Sequence, residues 1–380
     1  MQHFPAVMIG GPPDSGKSVL TYNLSQALRR VGVQHYVLRA APDGEGDWTQ
    51  EADQGLVRTI LVPQKWTPDF VEYVCQSLEQ RHLPLIVDVG GRPAPWQEAI
   101  FDHCTHAILL TPDEASRTSW QALIVRHNLL LLADLHSELQ GLSVVTSSSP
   151  ILSGKISGLE QGLHTSGPTF EALVECVARL FAYDLDQLRR SHLSAAPVEA
   201  SIDLDRLAHS FSIPFDGHKA IWSPHHLSRL LNYLPQGEPL GLYGRGPNWL
   251  YAAVALHAQP ALFYQFDVRL GWVTPSELIS GLPPADTPLQ CSQHVQSNYV
   301  ELKFTKSSSY LDYSETSGLT IPIPPLDKYL VLNGQIPHWL LTGLAIAYRN
   351  APLLAVYQPQ AGKVVVSSQV PEFALGDLLA

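Results

Sequence analysis

Near the start of the chain four apolar residues, Ala6 to Ile9, lead into the glycine-rich run GGPPDSGKS, and VLTYNLSQALRRVG then carries apolar residues at helical spacing up to Gly32. The pattern predicts strand, loop and helix. Apolar segments at Tyr36 to Leu38, Pro84 to Val89, Ala107 to Leu110 and Leu142 to Val145 predict further strands. Amphipathic stretches around 68 to 81, 96 to 102 and 115 to 138 predict the helices between them. Strands alternating with such helices imply right-handed βαβ crossovers and a mostly parallel sheet, closed by a helix from about Thr169 to Arg190.

The polar, Ala- and Pro-containing segment SHLSAAPVEAS, Ser191 to Ser201, then predicts a linker. Beyond it come proline-rich turns and strand-like stretches, SFSIPF, YVELKFT and KVVVSSQV, which predict an α+β half. That half repeats itself. Gly244, Pro247, Trp249, Leu250 and Ala255 match Gly334, Pro337, Trp339, Leu340 and Ala345 at one constant offset, and Gly271 matches Gly362 after a one-residue gap. Each copy reads as a strand, a Gly-x-x-Pro turn, a helix opened by Trp and another strand. Two copies in one chain fit a pseudo-dimer with a cleft on its pseudo-twofold axis. The expected fold class is therefore α/β, with boundaries at 1–190, 200–295 and 296–380.

Composition narrows the function. The chain has 380 residues, 24 Lys plus Arg against 35 Asp plus Glu, and a net charge of −11. An acidic balance argues against a basic surface for duplex nucleic acid and leaves a small nucleotide in a local pocket as the expected ligand. Cys75, Cys104, Cys176 and Cys291 form no CxxC pair, so a reducing cytoplasm is expected rather than a disulfide framework or zinc cage. The N-terminus lacks a signal-peptide pattern. The longest apolar run, Trp339 to Tyr348, falls short of the roughly 20 residues a membrane span needs, so no membrane insertion is expected.

Gly11-Pro12-Pro13-Asp14-Ser15-Gly16-Lys17-Ser18 satisfies G-x-x-x-x-G-K-[ST] between a strand and a helix. In that motif backbone N–H groups cradle phosphates, Lys17 neutralises β/γ charge and the Ser18 hydroxyl ligates Mg²⁺ of bound ATP, with Gly11, Asp14, Ser15 and Gly16 shaping the loop. Asp88, ending the apolar strand Leu85-Ile86-Val87, is the candidate second acid for Mg²⁺, and the following Gly90-Gly91 can sense a γ-phosphate. Its competing role is a helix cap. Arg92 and Arg117 are candidate arginine fingers, against the ordinary alternative of surface ion pairs. Asp43, Glu45 and Asp47 suit either a substrate-binding or a merely solvated acidic loop.

In the first copy, Gly244-Arg245-Gly246-Pro247 lets backbone approach a ligand and offers Arg245 to a phosphate or base edge. Asp267 and Arg269, two apart at a strand end, are expected on one face, as a metal or base site beside a phosphate clamp or as a structural ion pair. His257 on the intervening helix is a candidate acid or base. The second copy has Gln335 for Arg245, and Gln358 and Gln360 for Asp267 and Arg269, so the first copy is the one expected to do chemistry.

These runs, GRGPNWLYAAVALHA through FDVRLG and GQIPHWLLTGLAIAY through VYQPQAG, KVVVSSQ and the terminal GDLL, resemble the CRISPR-associated ring nuclease family called Csx-three or Crn-three. The layout is similar to its form fused to an N-terminal P-loop, AAA-type ATPase. The resemblance covers roughly the last 180 residues. It implies a metal-dependent, manganese-favouring phosphodiesterase that linearises cyclic tetra-adenylate in type III CRISPR defence. Asp267, also the implied metal ligand, and Arg269 take the family's acid and arginine, His257 the catalytic histidine and His294 a second histidine. Ligand-binding positions fall on Gly244, Arg245, Gly246, Pro247, Gly334 and Gln335. The resemblance further implies that the attached P-loop unit is an ATPase, and a homo-oligomer is expected. Two other readings stay open: a cyclic-oligoadenylate sensor that regulates the ATPase without cleavage, and a P-loop small-molecule or nucleotide kinase.

Overall fold

A computed structural model of the chain describes residues 4–41, 66–160, 162–217, 219–307, 311, 313–324 and 328–379. Asp43, Glu45 and Asp47 lie outside them. Contacts divide the chain into one unit of Met1–Leu188 with Val268–Leu270, and another of Arg189–Asp267 with Gly271–Ala380.

The first unit runs β1 (Ala6–Gly10), α1 (Lys17–Arg30), β2 (Tyr36–Arg39), α2 (Pro68–Glu79), β3 (Leu85–Asp88), α3 (Ala99–Asp102), β4 (His106–Thr111), α4 (Glu114–Arg126), β5 (Leu130–Glu138), β6 (Val144–Ser147), β7 (Leu152–Ser157) and α5 (Pro168–Leu180), with α6 (Leu185–Ser194) spanning the division. Its sheet has the order β2-β3-β1-β4-β5-β7-β6. All neighbours are parallel except the edge pair β6 and β7. Every residue of β1 is buried. A parallel strand covered by helices on both faces has no side to give to water, which is why it reads as an unbroken apolar run. Val7 and Ile9 share a core with Leu20, Leu24 and Leu28 of α1 and with Phe170 and Leu173 of α5. The strand order reverses between β1 and β4, and in open α/β sheets ligands bind outside the carboxyl ends of the strands at such a point.

Three boundaries differ from the sequence pattern. The stretch 115 to 138 is a helix only to Arg126. Asn128 takes a left-handed φ of 53° and ends it, after which Leu130–Glu138 pairs with β4 and β7 as a strand. The helix expected from Thr169 to Arg190 breaks after Leu180, because the Asp184 carboxylate accepts from the N–H groups of Asp186 and Gln187 and so starts a new helix. That helix continues to Ser194, into the expected linker.

The second unit continues with β8 (Ser201–Asp203), α7 (Leu204–Ser210), β9 (Phe215–Asp216), β10 (Lys219–Ala220), α8 (Leu227–Tyr233), β11 (Leu240–Tyr243), α9 (Asn248–Ala258), β12 (Phe263–Asp267), β13 (Gly271–Val273) and β14 (Leu278–Ser280). Then follow β15 (Leu289–Val295), β16 (Tyr299–Lys306), β17 (Leu319–Ile321), β18 (Tyr329–Gly334), α10 (His338–Ala347), β19 (Leu353–Gln358), β20 (Gly362–Ser368) and β21 (Leu378–Leu379). SFSIPF, expected as a strand, instead spans the end of α7 and only the start of β9, because the Asp203 carboxylate caps a helix over Leu204–Ser210. Two sheets carry the unit, β13-β12-β11-β8 and β15-β16-β18-β19-β20-β21. In both, the strand before the Gly-x-x-Pro turn pairs in parallel with the strand after the following helix.

The helices of the two copies interlock. α9 touches α10 and also lies on β19 and β20 of the other copy's sheet. In the reverse sense, the buried Gln265 of β12 donates from Nε2 to Thr342 Oγ1 of α10 at 3.2 Å. Trp249 and Trp339, opening the two helices, are each 1% exposed. Among the described residues no helix is long and apolar enough to cross a membrane.

Candidate functional site

Residues 11–16 turn sharply at the carboxyl end of β1. Gly11 has no room for a side chain: a Cβ there would lie 2.0 Å from the Leu110 carbonyl oxygen. Asp14 and Gly16 have φ of 58° and 89°, and such left-handed turns aim successive N–H groups into one concavity. α1 starts at Lys17 with no side-chain cap on its first N–H groups. Those donors and the positive end of the helix dipole suit an anion. Lys17, 7% exposed, donates from Nζ to the Pro12 carbonyl at 2.6 Å, so its ammonium folds back along the loop. The Ser15 hydroxyl is buried without a hydrogen-bond partner, while Ser137 Oγ donates to the Ser15 carbonyl at 2.9 Å and fixes the backbone there.

β3 lies directly beside β1, with Ile9 level with Asp88. That register brings Ser18 Oγ to Asp88 Oδ2 at 2.9 Å. The same oxygen receives Arg39 Nη1 at 3.1 Å, Arg39 being level with Asp88 on β2. Asp88 Oδ1 is buried and without a hydrogen-bond partner. A hydroxyl and a buried carboxylate with an unsatisfied oxygen are the donor set a phosphate-bound Mg²⁺ takes, so these residues fit that cation. Gly91 lies against Pro13 of the loop, and Arg92, exposed, follows it.

Arg117 is held elsewhere. Its Nε and Nη2 contact Asp134 Oδ2 at 2.9 and 2.8 Å, and its Nη1 meets Glu114 at 3.2 Å. Two nitrogens donating to one oxygen of a nearly buried carboxylate hold the guanidinium as an ion-pair partner at this position. With His136, Ser153 and Lys155 it lines a depression of about 280 Å³ at the β4, β5 and β7 end of the sheet.

In the second unit, Leu242 of β11 is level with Gln265 of β12. Carried two residues on, this parallel register sets Gly244 beside Asp267, at the carboxyl ends of the strands. The loop glycines serve different needs. Gly244 adopts φ of 109°, whereas a Cβ on Gly334 would meet the Phe304 carbonyl oxygen at 2.6 Å. Tyr251, one turn into α9, donates its hydroxyl to the Gly244 carbonyl at 2.6 Å. A Cβ on Gly246 would be 3.3 Å from the Tyr251 ring, so the loop lies flat on that ring. On its other side Tyr251 stacks with His338, the residue after Pro337 of the second loop, with centroids 4.4 Å apart and planes 32° apart. The two Gly-x-x-Pro loops thus meet through one aromatic pair.

Electrostatics follow from that crowding. Burial pushes the His338 imidazole down, to about 4, against the upward pull of the Asp267 charge. The side chain is nonetheless exposed to solvent, which moderates the push, and the ring is neutral at pH 7 on either count. Burial raises the Asp205 carboxyl, opposed by Arg189 and Arg245 and reinforced by Asp203. Arg245 and Gln335 are exposed on their loops, and Pro247 leads into α9.

The expected catalytic trio does not assemble. α9 begins at the Gly244 end and runs back along the sheet. At its far end His257 Nε2 meets the Leu234 carbonyl at 3.1 Å, and its own carbonyl accepts from Gly237, just before β11 starts. An 11-residue helix is about 16 Å long, so His257 sits at the opposite edge from Asp267. The strand that would put Asp267 and Arg269 on one face ends at Asp267, and Arg269 lies in the following turn, grouped with the first unit. His294 is exposed on β15. Among the described residues no group of three or more His, Cys, Asp or Glu could hold a metal.

Sequence reasoning passed over Arg39, Tyr251 and His338. For His338 a signal existed, since it follows the second Gly-x-x-Pro. Tyr251 and Arg39 gain their meaning only from a neighbouring helix or strand.

Compared with known families, residues 304–380 match the sequence model of a CRISPR-associated protein family, Cas_csx3. The match takes in β17, β18, α10, β19, β20 and β21, and with them the second copy of the repeat.

Proposed function

We propose that the chain is a cyclic-oligoadenylate ring nuclease carrying an ATP-binding unit, its ligand held where the two Gly-x-x-Pro loops meet. The observation that carries this reading is the Tyr251–His338 pair, which joins the two loops beside Asp267 while the second copy matches Cas_csx3. A ring of four nucleotides needs converging donors for its phosphates, and two glycine loops with exposed Arg245 supply backbone N–H groups and a guanidinium. Asp267 is the carboxylate that would orient water against a phosphodiester. Asp267 would be the protein's ligand to Mn²⁺, which would supply Lewis-acid charge at a phosphodiester. The Asp88–Ser18 pair and the uncapped α1 support ATP with Mg²⁺ at the first unit, where Lys17 would balance phosphate charge.

A sensor that binds the ring without cutting it is the second reading, favoured by the distance of His257 from Asp267. Incubating the full chain with labelled cyclic tetra-adenylate and Mn²⁺, beside Asp267→Ala, separates the two. Linear product from wild type and none from the variant supports the nuclease; a ring that stays intact yet co-elutes with wild type supports the sensor.

A further inference from the structure

His338 is an exposed residue even though its ring packs on Tyr251. Tyr251 beneath it is 2% exposed, is bonded to the Gly244 carbonyl, and passes so close to Gly246 that a Cβ there would lie 3.3 Å from its ring. His338 itself is clamped between Pro337, with φ of −58°, and Trp339, 1% exposed. Its ring lies on Tyr251 at 4.4 Å while its side chain remains open to solvent. An aromatic ring backed by a second one on an exposed residue can present a flat surface ordered before a ligand arrives. Around it are two glycine loops and the exposed Arg245, which suit sugar and phosphate rather than another apolar side chain.

We infer that His338, backed by Tyr251, is a stacking platform for a purine base, so that the second copy contributes a ligand-binding residue to the site of the first. The inference rests on the cyclic-oligoadenylate reading above and adds where one adenine sits. It also gives the second copy a role beyond support, although it lacks the acid and arginine of the first. A neutral imidazole suits stacking on a neutral base, and every base offers a π face.

The test is binding of fluorescent cyclic tetra-adenylate to the full chain in EDTA, which withholds divalent cations, for wild type, His338→Ala and His338→Phe. Loss of one base stack weakens binding by about 5- to 150-fold, and this is expected for His338→Ala, while His338→Phe stays within about threefold of wild type. Should the alanine variant unfold, His338→Leu, which keeps bulk without an aromatic face, takes its place with the same expected loss. Wild-type affinity in the alanine or leucine variant, or a phenylalanine variant as weak as alanine, overturns the platform and leaves the ring-nuclease reading standing. Failure of wild type itself to bind the ring removes both.

Discussion

Replacing Asp88 by Asn tests the proposal that the first unit binds ATP through a cation. The variant keeps the shape of the side chain and an acceptor for Ser18, but removes the charge that Arg39 and a Mg²⁺ would share. Arg39 is 19% exposed and Asp88 4%, so their hydrogen bond is of the charged, largely buried kind. Such a bond contributes about 1.5–3 kcal/mol net, which at about 2–4 °C per kcal/mol lowers the unfolding midpoint by about 3–12 °C. The informative quantity is the further shift produced by Mg²⁺ and ATP. At 100 times Kd a ligand stabilises by about 2.7 kcal/mol, or about 5–11 °C for wild type. If the variant binds about 100-fold more weakly, the same concentration gives only about 0.4 kcal/mol, or about 1–2 °C. Thermal scans of both proteins with and without Mg²⁺ and ATP measure this directly. An equal Mg²⁺-dependent shift in wild type and variant would refute the assignment of Asp88, whatever the variant's own midpoint.

Two further perturbations probe the packing on which the sites rest. His127 is desolvated, which lowers its pKa, yet hydrogen bonds to Asp102 at 2.7 Å and Glu98 at 3.0 Å outweigh this and hold it above the usual histidine value. A raised folded pKa gives stability that is complete below the unfolded value near 6.5 and is lost as pH rises through the folded one. The excess of the pH 6 unfolding midpoint over the pH 8 midpoint should therefore be smaller in His127→Gln than in wild type; an unchanged difference in the variant rejects the assignment. Gly343 of α10 has the Ser276 carbonyl oxygen 2.4 Å from where a Cβ would sit, so Gly343→Ala must shift backbone and should cost about 1–3 kcal/mol in denaturant unfolding. No loss would mean that α10 and the Ser276 segment are less closely packed than described.

Much of this was legible from residues alone, for identifiable reasons. A strand buried on both faces writes itself as AVMIG, and the loop that follows needs glycine where Leu110 and Leu159 press against it. The doubled Gly-x-x-Pro-x-Trp motif marks two loops, each followed by a buried Trp. Other features had no local mark. LLLADL fits a helix or a buried strand equally well, and only pairing with β4 and β7 decides it. His257 lies ten residues before Asp267 and so looks near it, but a helix between two parallel strands carries the pair to opposite edges. The Tyr251–His338 stack joins residues 87 positions apart and follows from the interlocking of α9 with α10.

The central claim is that chemistry on the ring occurs at the Asp267 edge of the second unit, where the two loops meet. Rates of cyclic tetra-adenylate cleavage by wild type, Asp267→Ala and His257→Ala, each at matched folded concentration, test it most directly. The account predicts that Asp267→Ala abolishes linear product while His257→Ala, altered at the far edge, cleaves at close to the wild-type rate. A dead His257→Ala beside an active Asp267→Ala would contradict it and move the site to the opposite edge of the sheet.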